Sequence, residues 1–356
     1  MSFESVLKLF KKMDLGMLDA RVYLSLLSSG SLSVSRLSEE LGVSRPQVYA
    51  SLNKLFSRGL VEISGGKPAL YRAVEPSTVV KAFESELKKL GRDSLYYLSQ
   101  IKRKEEARHN IWVLRSRMGL YRRFKSTIRE AEKDLIIRGS VSFIRRLLKE
   151  IINAQKRGVI VYTMTYNPLK HKEYNSISYE LKYLAKTLSK LRIALPGDHY
   201  IIRDSSLAVI SYEKWRAFKR SSYGLVVEEP ILINYIVSDF FRNWYESKEI
   251  CDKDVKLPVS LTFHKLALLE IDKLLKKGMK LVGSFKGWWT YTGRRGVVEG
   301  EITDTFIDTR RGLMYFGVHT EGGYIRVGGP DATIEEFAME EVTIFEDQSA
   351  RHCMVR

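Results

Sequence analysis

Residues 41–62, LGVSRPQVYASLNKLFSRGLVE, leave few folding options open. Ser44 followed three residues later by Gln47 is a capping box, in which Ser44 accepts from the Gln47 amide and Gln47 reaches back. Pro46 is tolerated because a first helical turn has no intrahelical amide to lose. Val48, Leu52 and Leu55 recur at i, i+4 and i+7, which predicts one buried face. Pro46, Gln47, Ala50, Asn53, Lys54 and Ser57 fall on the opposite face, which is small, polar or basic. Upstream, LDARVYLSLLSSG predicts a helix ending at Gly30, and SVSRLSEELG predicts a second helix capped by Ser33 and closed by Gly42. Two such helices with glycine in the turn make a helix-turn-helix. Downstream, GLVEISGGKPALYRAV alternates, breaks at Gly65-Gly66-Lys67-Pro68 and alternates again, which predicts a hairpin in the position of a wing.

In this arrangement the N-terminal residues of the second helix enter the major groove of double-stranded DNA. Arg45 suits guanine and Gln47 suits adenine, while Lys54, Lys67 and Arg72 are positioned for phosphates. Ser44 and Tyr49 complete the candidate DNA-binding set. Residues 78–107 contain no proline and only Gly91 as a helix-weakening residue. Phe83, Leu87, Leu90, Ser94, Tyr97 and Ile101 alternate spacings of four and three, a short heptad seam. A helix pairing two wings in a homodimer is the expectation; a linker helix packed on its own chain is the alternative.

With 356 residues the chain exceeds one ordinary domain. Its net charge of +17 is uneven: +6 over residues 1–110, +11 over 111–255 and zero over 256–356. Nucleic acid is the natural partner of the first part, and the last part serves something else. Boundaries are expected at 1–77, 78–110, 111–255 and 256–356. No apolar run approaches the ~18 residues of a membrane span, and the N-terminus lacks the features of a signal peptide, so a cytoplasmic protein is expected. Cys251 and Cys353 lack ligand-like neighbours, and neither a disulfide framework nor a metal or cofactor is expected.

From Ile111 strands and helices alternate. KDLIIRG, SFIRRLLKEIINAQKRG and VIVYTMTY predict a right-handed strand-helix-strand unit with Ile144, Leu147, Leu148 and Ile151 inward. HYIIRD and SLAVISY predict a hairpin around Asp204-Ser205-Ser206, and YGLVVEEPILINYIVSDFFRNWYES a last strand and helix. This order resembles the phospholipase D-like fold, whose active members carry His-x-Lys and then Asp. Alignment on Asp204 puts Gly197 at the histidine and His199 at the lysine. The resemblance therefore implies a non-catalytic copy, with no catalytic residue and His199 as a surface residue.

After Pro258, LTFHKLALLEIDKLLKKG predicts a helix, followed by short strands with glycine punctuation that read as a small antiparallel sheet or barrel. Trp288-Trp289 with Tyr291, and Tyr315-Phe316, are aromatic clusters of the kind that stack on sugars, or core residues. Taken as a whole, the chain is α+β and multidomain: an N-terminal winged helix-turn-helix, a helical linker, a phospholipase D-like α/β domain and a small C-terminal antiparallel β-domain.

The segments LGMLDARVYLSLLSSG, RPQVYASLNKLFSRGLVE, LKKGMKLVGSFKG, VEGEI and VGGPDATIEEF, in this order, resemble the TrmB family of archaeal sugar-responsive transcriptional regulators. The resemblance implies a winged-helix dimer on operator DNA and a C-terminal sugar site that changes its affinity. Family members that bind maltodextrins carry a segment shaped like Gly-Met-x-Ala-x-Ile-Glu; here it reads Gly329-Pro330-Asp331-Ala332-Thr333-Ile334-Glu335. The resemblance implies Gly329, Thr333, Ile334 and Glu335 as sugar contacts, with Trp288 and Trp289 as aromatic candidates beside them. Pro330 departs from the methionine and removes a backbone donor, and Asp331 brings a carboxylate. A DNA-architectural protein without sequence preference is the alternative function, favoured by the cluster Arg115, Arg117, Arg122, Arg123 and Lys125. A phosphodiesterase is a third class, opposed by the missing His-x-Lys pair.

Overall fold

The computed structural model describes residues 3–101, 110–166, 179–211 and 224–347. Cys353 and the part of the expected linker helix beyond residue 101 lie outside them. The chain divides into two compact units, Met1–Glu105 and Glu106–Arg356.

The first unit opens with helices α1 (Phe3–Lys12) and α2 (Met17–Ser29) and a short strand β1 (Leu32–Ser33). Helices α3 (Val34–Leu41) and α4 (Arg45–Ser57), strands β2 (Val61–Ile63) and β3 (Leu70–Ala73), and the long helix α5 (Pro76–Ser99) follow. The Ser33 hydroxyl accepts from the Arg36 amide at 3.4 Å and starts α3. Gly42 ends it in the left-handed region at φ 65°, a backbone conformation that disfavours any side chain. Val48, Leu52 and Leu55 are fully buried against Leu26 and Leu37 in one core. The hairpin pairs Val61 with Ala73, Glu62 with Arg72 and Ile63 with Tyr71, and β1 joins its other edge as a third strand. That third strand is too short for alternation to announce it.

The second unit begins with β4 (Ile111–Leu114), α6 (Arg117–Arg129), β5 (Asp134–Ser140), α7 (Val141–Lys156), β6 (Ile160–Tyr166), α8 (Tyr179–Thr187) and β7 (Lys190–Ile193). It continues with β8 (His199–Arg203), β9 (Leu207–Ser211), β10 (Gly224–Val227), α9 (Pro230–Glu246) and β11 (Lys248–Asp252). The described strands form one sheet in the order β11-β7-β6-β5-β8-β9-β10-β4. Its middle, β5-β6-β7, is parallel, as the strand-helix-strand pattern predicts, and the rest is antiparallel. Alternate residues of the central strands point to opposite faces. Leu135, Ile137 and Val161 pack on α6, α7 and α8, whereas Ile136, Tyr162 and Met164 pack on α9.

The remaining elements are β12 (Val259–Leu261), α10 (His264–Lys276), β13 (Leu281–Trp289), β14 (Arg295–Asp308), β15 (Leu313–Thr320), β16 (Gly323–Gly328) and β17 (Phe337–Glu346). Antiparallel pairing runs β17-β13-β14-β15-β16, and a short parallel pairing of Val327 with Phe337 and Gly328 with Ala338 returns β16 to β17. The small β-domain is thus a closed five-stranded barrel, with one parallel junction in an otherwise antiparallel sheet. Strand β17, which no local pattern announces, begins directly after the 329–335 loop. Leu266, Ala267 and Ile271 of α10 and Phe285 and Phe316 of the barrel share one core with Ile136 and Phe240. The face of the large sheet that α9 covers is therefore continuous with the barrel core.

Candidate functional site

On α4 the capping box forms around the glutamine. Gln47 Oε1 accepts from the Ser44 amide at 3.0 Å and from Ser44 Oγ at 2.9 Å. The cap engages the Gln47 oxygen, so its amide nitrogen is the part left to address a base. Buried Ser51 donates to Asp19 Oδ1 at 2.6 Å, and Asp19 Oδ2 accepts from the Gly16 amide at 2.7 Å. That buried pair docks α4 on α2, and local spacing gave no sign of it because 32 residues separate the partners. Arg45 and Lys54 are exposed on the outer face, and Lys67 is exposed at the hairpin tip. Tyr49 is an electrostatic neighbour of Tyr71 on the wing; burial first, then this neighbour, push the Tyr71 phenol above its ordinary value. Arg72 is ion-paired with Glu62, its partner across the strands. Arg72 is thus tied into the wing, whereas Tyr49 is 53% exposed.

The C-terminal residues converge more tightly. Gly329, Thr333, Ile334 and Glu335 line one cavity of about 350 Å³ together with Arg311, Met314, His264 and Lys265. Glu335 is 5% exposed, and its Oε2 accepts from the Ile334 amide at 3.3 Å. Thr290 Oγ1 donates to the Glu335 carbonyl at 2.6 Å, anchoring the loop to the end of β13. A second cavity of about 380 Å³ is lined by Trp288, Pro330, Asn234 and Lys133, and shares His264, Lys265 and Asp331 with the first. Trp289 reaches neither cavity: it packs edge-on against Phe337 at 5.4 Å, on the barrel core. Its neighbour Trp288 points the other way because successive strand residues alternate. Phe316 is wholly buried, and Tyr315 stacks on Phe306 at 5.1 Å.

His264, missed in the sequence because it opens an otherwise ordinary amphipathic helix, stands where the two cavities meet. Burial lowers its pKa to about 3; Asp331 and the Val327 carbonyl oppose the shift and Lys265 adds to it. The imidazole is therefore neutral. Gly329 must lack a side chain, since a Cβ there would stand 2.8 Å from His264 Nδ1 and 2.9 Å from Asp331 Oδ1.

The surroundings of Gly197 are filled. A Cβ at Gly197 would lie 2.5 Å from Arg138 Nη2, so the buried guanidinium fills the space a side chain there would take. His199 is 5% exposed and stacks on Phe143 at 4.5 Å, which corrects its expected surface position. Asp204 accepts from the backbone amides of Glu132, Lys133 and Asp134 at 2.9–3.1 Å and holds the start of β5.

Three family models match the chain in the order of these parts. They are the sugar-specific transcriptional regulator TrmB over residues 10–77, the N-terminal subdomain of the TrmB EBD over 110–251, and the TrmB/TrmBL1 EBD C-terminal subdomain over 256–347. The chain belongs to the TrmB family. This TrmB-family chain is 20% identical to the HTH-type sugar sensing transcriptional regulator TrmBL1 of Pyrococcus furiosus, covering 96% of its own length and 99% of that protein. It is 22% identical to the DNA-binding HTH-type transcriptional repressor TrmBL2 of Thermococcus kodakarensis over 51% of its length and 76% of that protein. A solved structure of TrmBL2, described as an archaeal chromatin protein, covers 70% of this chain and 100% of that one at 22% identity and a TM-score of 0.39. The family is one of transcriptional regulators, and no helix among the described residues is long and apolar enough to cross a membrane.

Proposed function

We propose that two copies of this TrmB-family chain, joined along α5, bind operator DNA through α4 and the wing, and that a sugar held against the 329–335 loop alters this binding. The observation that carries the sugar site is the convergence of Gly329, Thr333, Ile334 and Glu335 on one cavity. Arg45 and Gln47 read bases; Ser44 sets the helix start; Lys54 and Lys67 contact phosphates. Arg72 and Tyr49 support the wing. Trp288 supplies an apolar wall, and Trp289 holds the barrel behind it. Leu87, Leu90 and Tyr97 are 50–71% exposed on α5, which supports its use as the pairing face. The coupling is reciprocal: a sugar that weakens DNA binding is itself bound less tightly on DNA.

Glycine at 197, where the resemblance expects a histidine nucleophile, supports a non-catalytic role for the middle part. The architectural alternative draws on the basic cluster around α6, but Arg123 lies 3.8 Å from Glu228 and Lys125 lies 3.3 Å from Glu150. Two of its five charges are thus internally balanced. The test is binding to DNA from upstream of the gene, with competitor DNA and a sugar panel, at ~150 mM salt because phosphate contacts inflate affinity at low salt. Sequence-specific binding changed by a sugar is expected. Binding indifferent to sequence and to every sugar overturns the reading in favour of an architectural protein.

A further inference from the structure

The charge of the middle part is not spread evenly over its fold. Helices α6, α7 and α8, which cover one face of the large sheet, carry eleven lysines and arginines against two carboxylates, Glu150 and Glu180. Helix α9, on the opposite face, carries one arginine against two carboxylates. Both carboxylates of the basic layer are engaged within it: Arg129 bonds Glu150 at 3.0 Å, joining α6 to α7, and Arg145 pairs with Glu180, joining α7 to α8. Arg117, Arg122, Lys149, Lys156, Lys182 and Lys186 remain, two from each helix, all exposed and none ion-paired among the described residues. Arg122 Nη2 bonds the Met118 sulfur at 3.2 Å, an uncharged partner. Lys182 and Lys186 stand four residues apart, where like charges on a helix repel, and Lys149 and Lys156 share a face at i, i+7. No carboxylate among the described residues relieves that repulsion; a polyanion does. Phe124, Leu147 and Leu184 hold the inner side of the layer in the core, so the cations face outward. We propose that this layer is a second surface for duplex DNA, one that holds phosphates and reads no bases. Helix α7 has 16 residues and is ~24 Å long, and an equal length of duplex presents roughly 14 phosphates. Helices laid side by side make a broad surface rather than a single rod sized for the ~12 Å major groove, so the contacts are to the backbone and carry no sequence information. DNA is favoured among polyanions because α4 and the wing already bring it to the chain at high effective concentration. The inference rests on that reading and adds affinity to it without specificity.

The test is fluorescence anisotropy of the full-length protein on two labelled duplexes, one from upstream of the gene and one scrambled, at several salt concentrations. Lys149→Gln, Lys182→Gln and Lys186→Gln combined remove three unpaired charges of the layer. They are expected to make the slope of log K against log salt shallower by ~2–3. Both duplexes are expected to bind about 10- to 100-fold more weakly at ~150 mM salt, with the ratio between them unchanged. Lys256→Gln, Lys280→Gln and Arg294→Gln combined remove three exposed charges beside and on the barrel, and are expected to move the slope by less than ~1. An equal effect of the two triple variants reduces the layer to its share of the net charge and overturns the surface. An unchanged slope in the layer variant overturns it too, while the role of α4 stands. Loss of the ratio between the duplexes overturns the phosphate-only role. A layer variant that binds DNA like wild type but no longer binds phosphatidylserine vesicles makes the surface a membrane-facing one, and the proposal falls. A wild type that binds neither duplex overturns the DNA reading of α4 itself. Where the layer variant does not fold, acetylation of wild type answers the same question. A saturating duplex must slow modification of Lys149, Lys182 and Lys186 relative to Lys256 and Lys280, and equal rates refute the contact.

Discussion

Asp134 bonds the two residues that precede His264, and burial moves these two ionisable side chains in opposite senses. Asp134 accepts from the Thr262 amide at 2.6 Å, the Thr262 hydroxyl at 2.5 Å and the Phe263 amide at 3.1 Å, holding the entrance of α10. Burial first raises its pKa to about 7, opposed by the bonds from Thr262 and Phe263, and nearby Asp204 adds to the rise. Between the unfolded value of ~4 and about 7 the folded state binds the extra proton, so this contribution to stability is present below ~4 and lost as pH rises; the gap between the two values bounds it at ~4 kcal/mol. His264 runs the other way: with a folded pKa of about 3, the unfolded state binds the extra proton below ~6.5, so its contribution is lost as pH falls. The two slopes oppose each other from about pH 4 to 6.5. Asp134→Asn is expected to unmask the imidazole slope, giving a stability that climbs from about pH 4.5 to 6.5 in denaturant titrations; the same flat profile as wild type would contradict it. At the DNA face, Arg45→Ala is expected to cost ~1–3 kcal/mol and relax base preference, whereas Lys54→Ala weakens all sequences alike and lowers the salt slope by ~1. Anisotropy titrations on operator and scrambled duplexes at several salt concentrations separate the two.

Helices and hairpins were legible wherever a local rule writes them. The Ser44–Gln47 cap, the Ser33 cap and Gly42 mark α3 and α4 within a few residues, and the wing follows from alternation on either side of Gly65-Gly66. Strands β1, β7, β11, β12 and β17 were not legible, because strands of a few residues, or one that closes a barrel seam, owe their pairing to distant partners. Helix α5 shows the reverse case: its seam is plain in the sequence, yet within the chain Leu90 is 61% exposed and Leu87 50%. Leu90→Glu is expected to halve the mass measured by light scattering and to weaken operator binding, since a charge inside a heptad seam is left without solvent or partner. An unchanged dimer would move the pairing face elsewhere.

Across the second unit, Lys190 is 1% exposed and its ammonium bonds Asp252 at 2.6 Å, Glu270 at 2.8 Å and the Lys253 carbonyl at 2.9 Å. Burial raises the carboxyl of Glu270; it raises that of Asp252 too, but the lysine overrides it there and holds Asp252 below its usual value. This network joins β7 and β11 of the large sheet to the middle of α10, which His264 opens. Lys190→Met is expected to cost ~3–5 kcal/mol, because it leaves the buried Glu270 carboxylate uncompensated while Asp252 keeps Lys273 at 3.3 Å, and to weaken the sugar as well; denaturant titration and calorimetry read both. The winged helix, the strand-helix order of the middle part, the missing His-x-Lys pair and the residues of the 329–335 loop can all be read along the chain. Capping, periodicity and motif identity act within a turn or two, so they survive in one dimension. That Trp289 turns into the core, that β17 closes the barrel and that His264 meets Gly329 between two cavities emerge only from the packed fold. Those outcomes depend on side chains dozens of residues apart being brought into contact, and no spacing along the chain encodes such a distance.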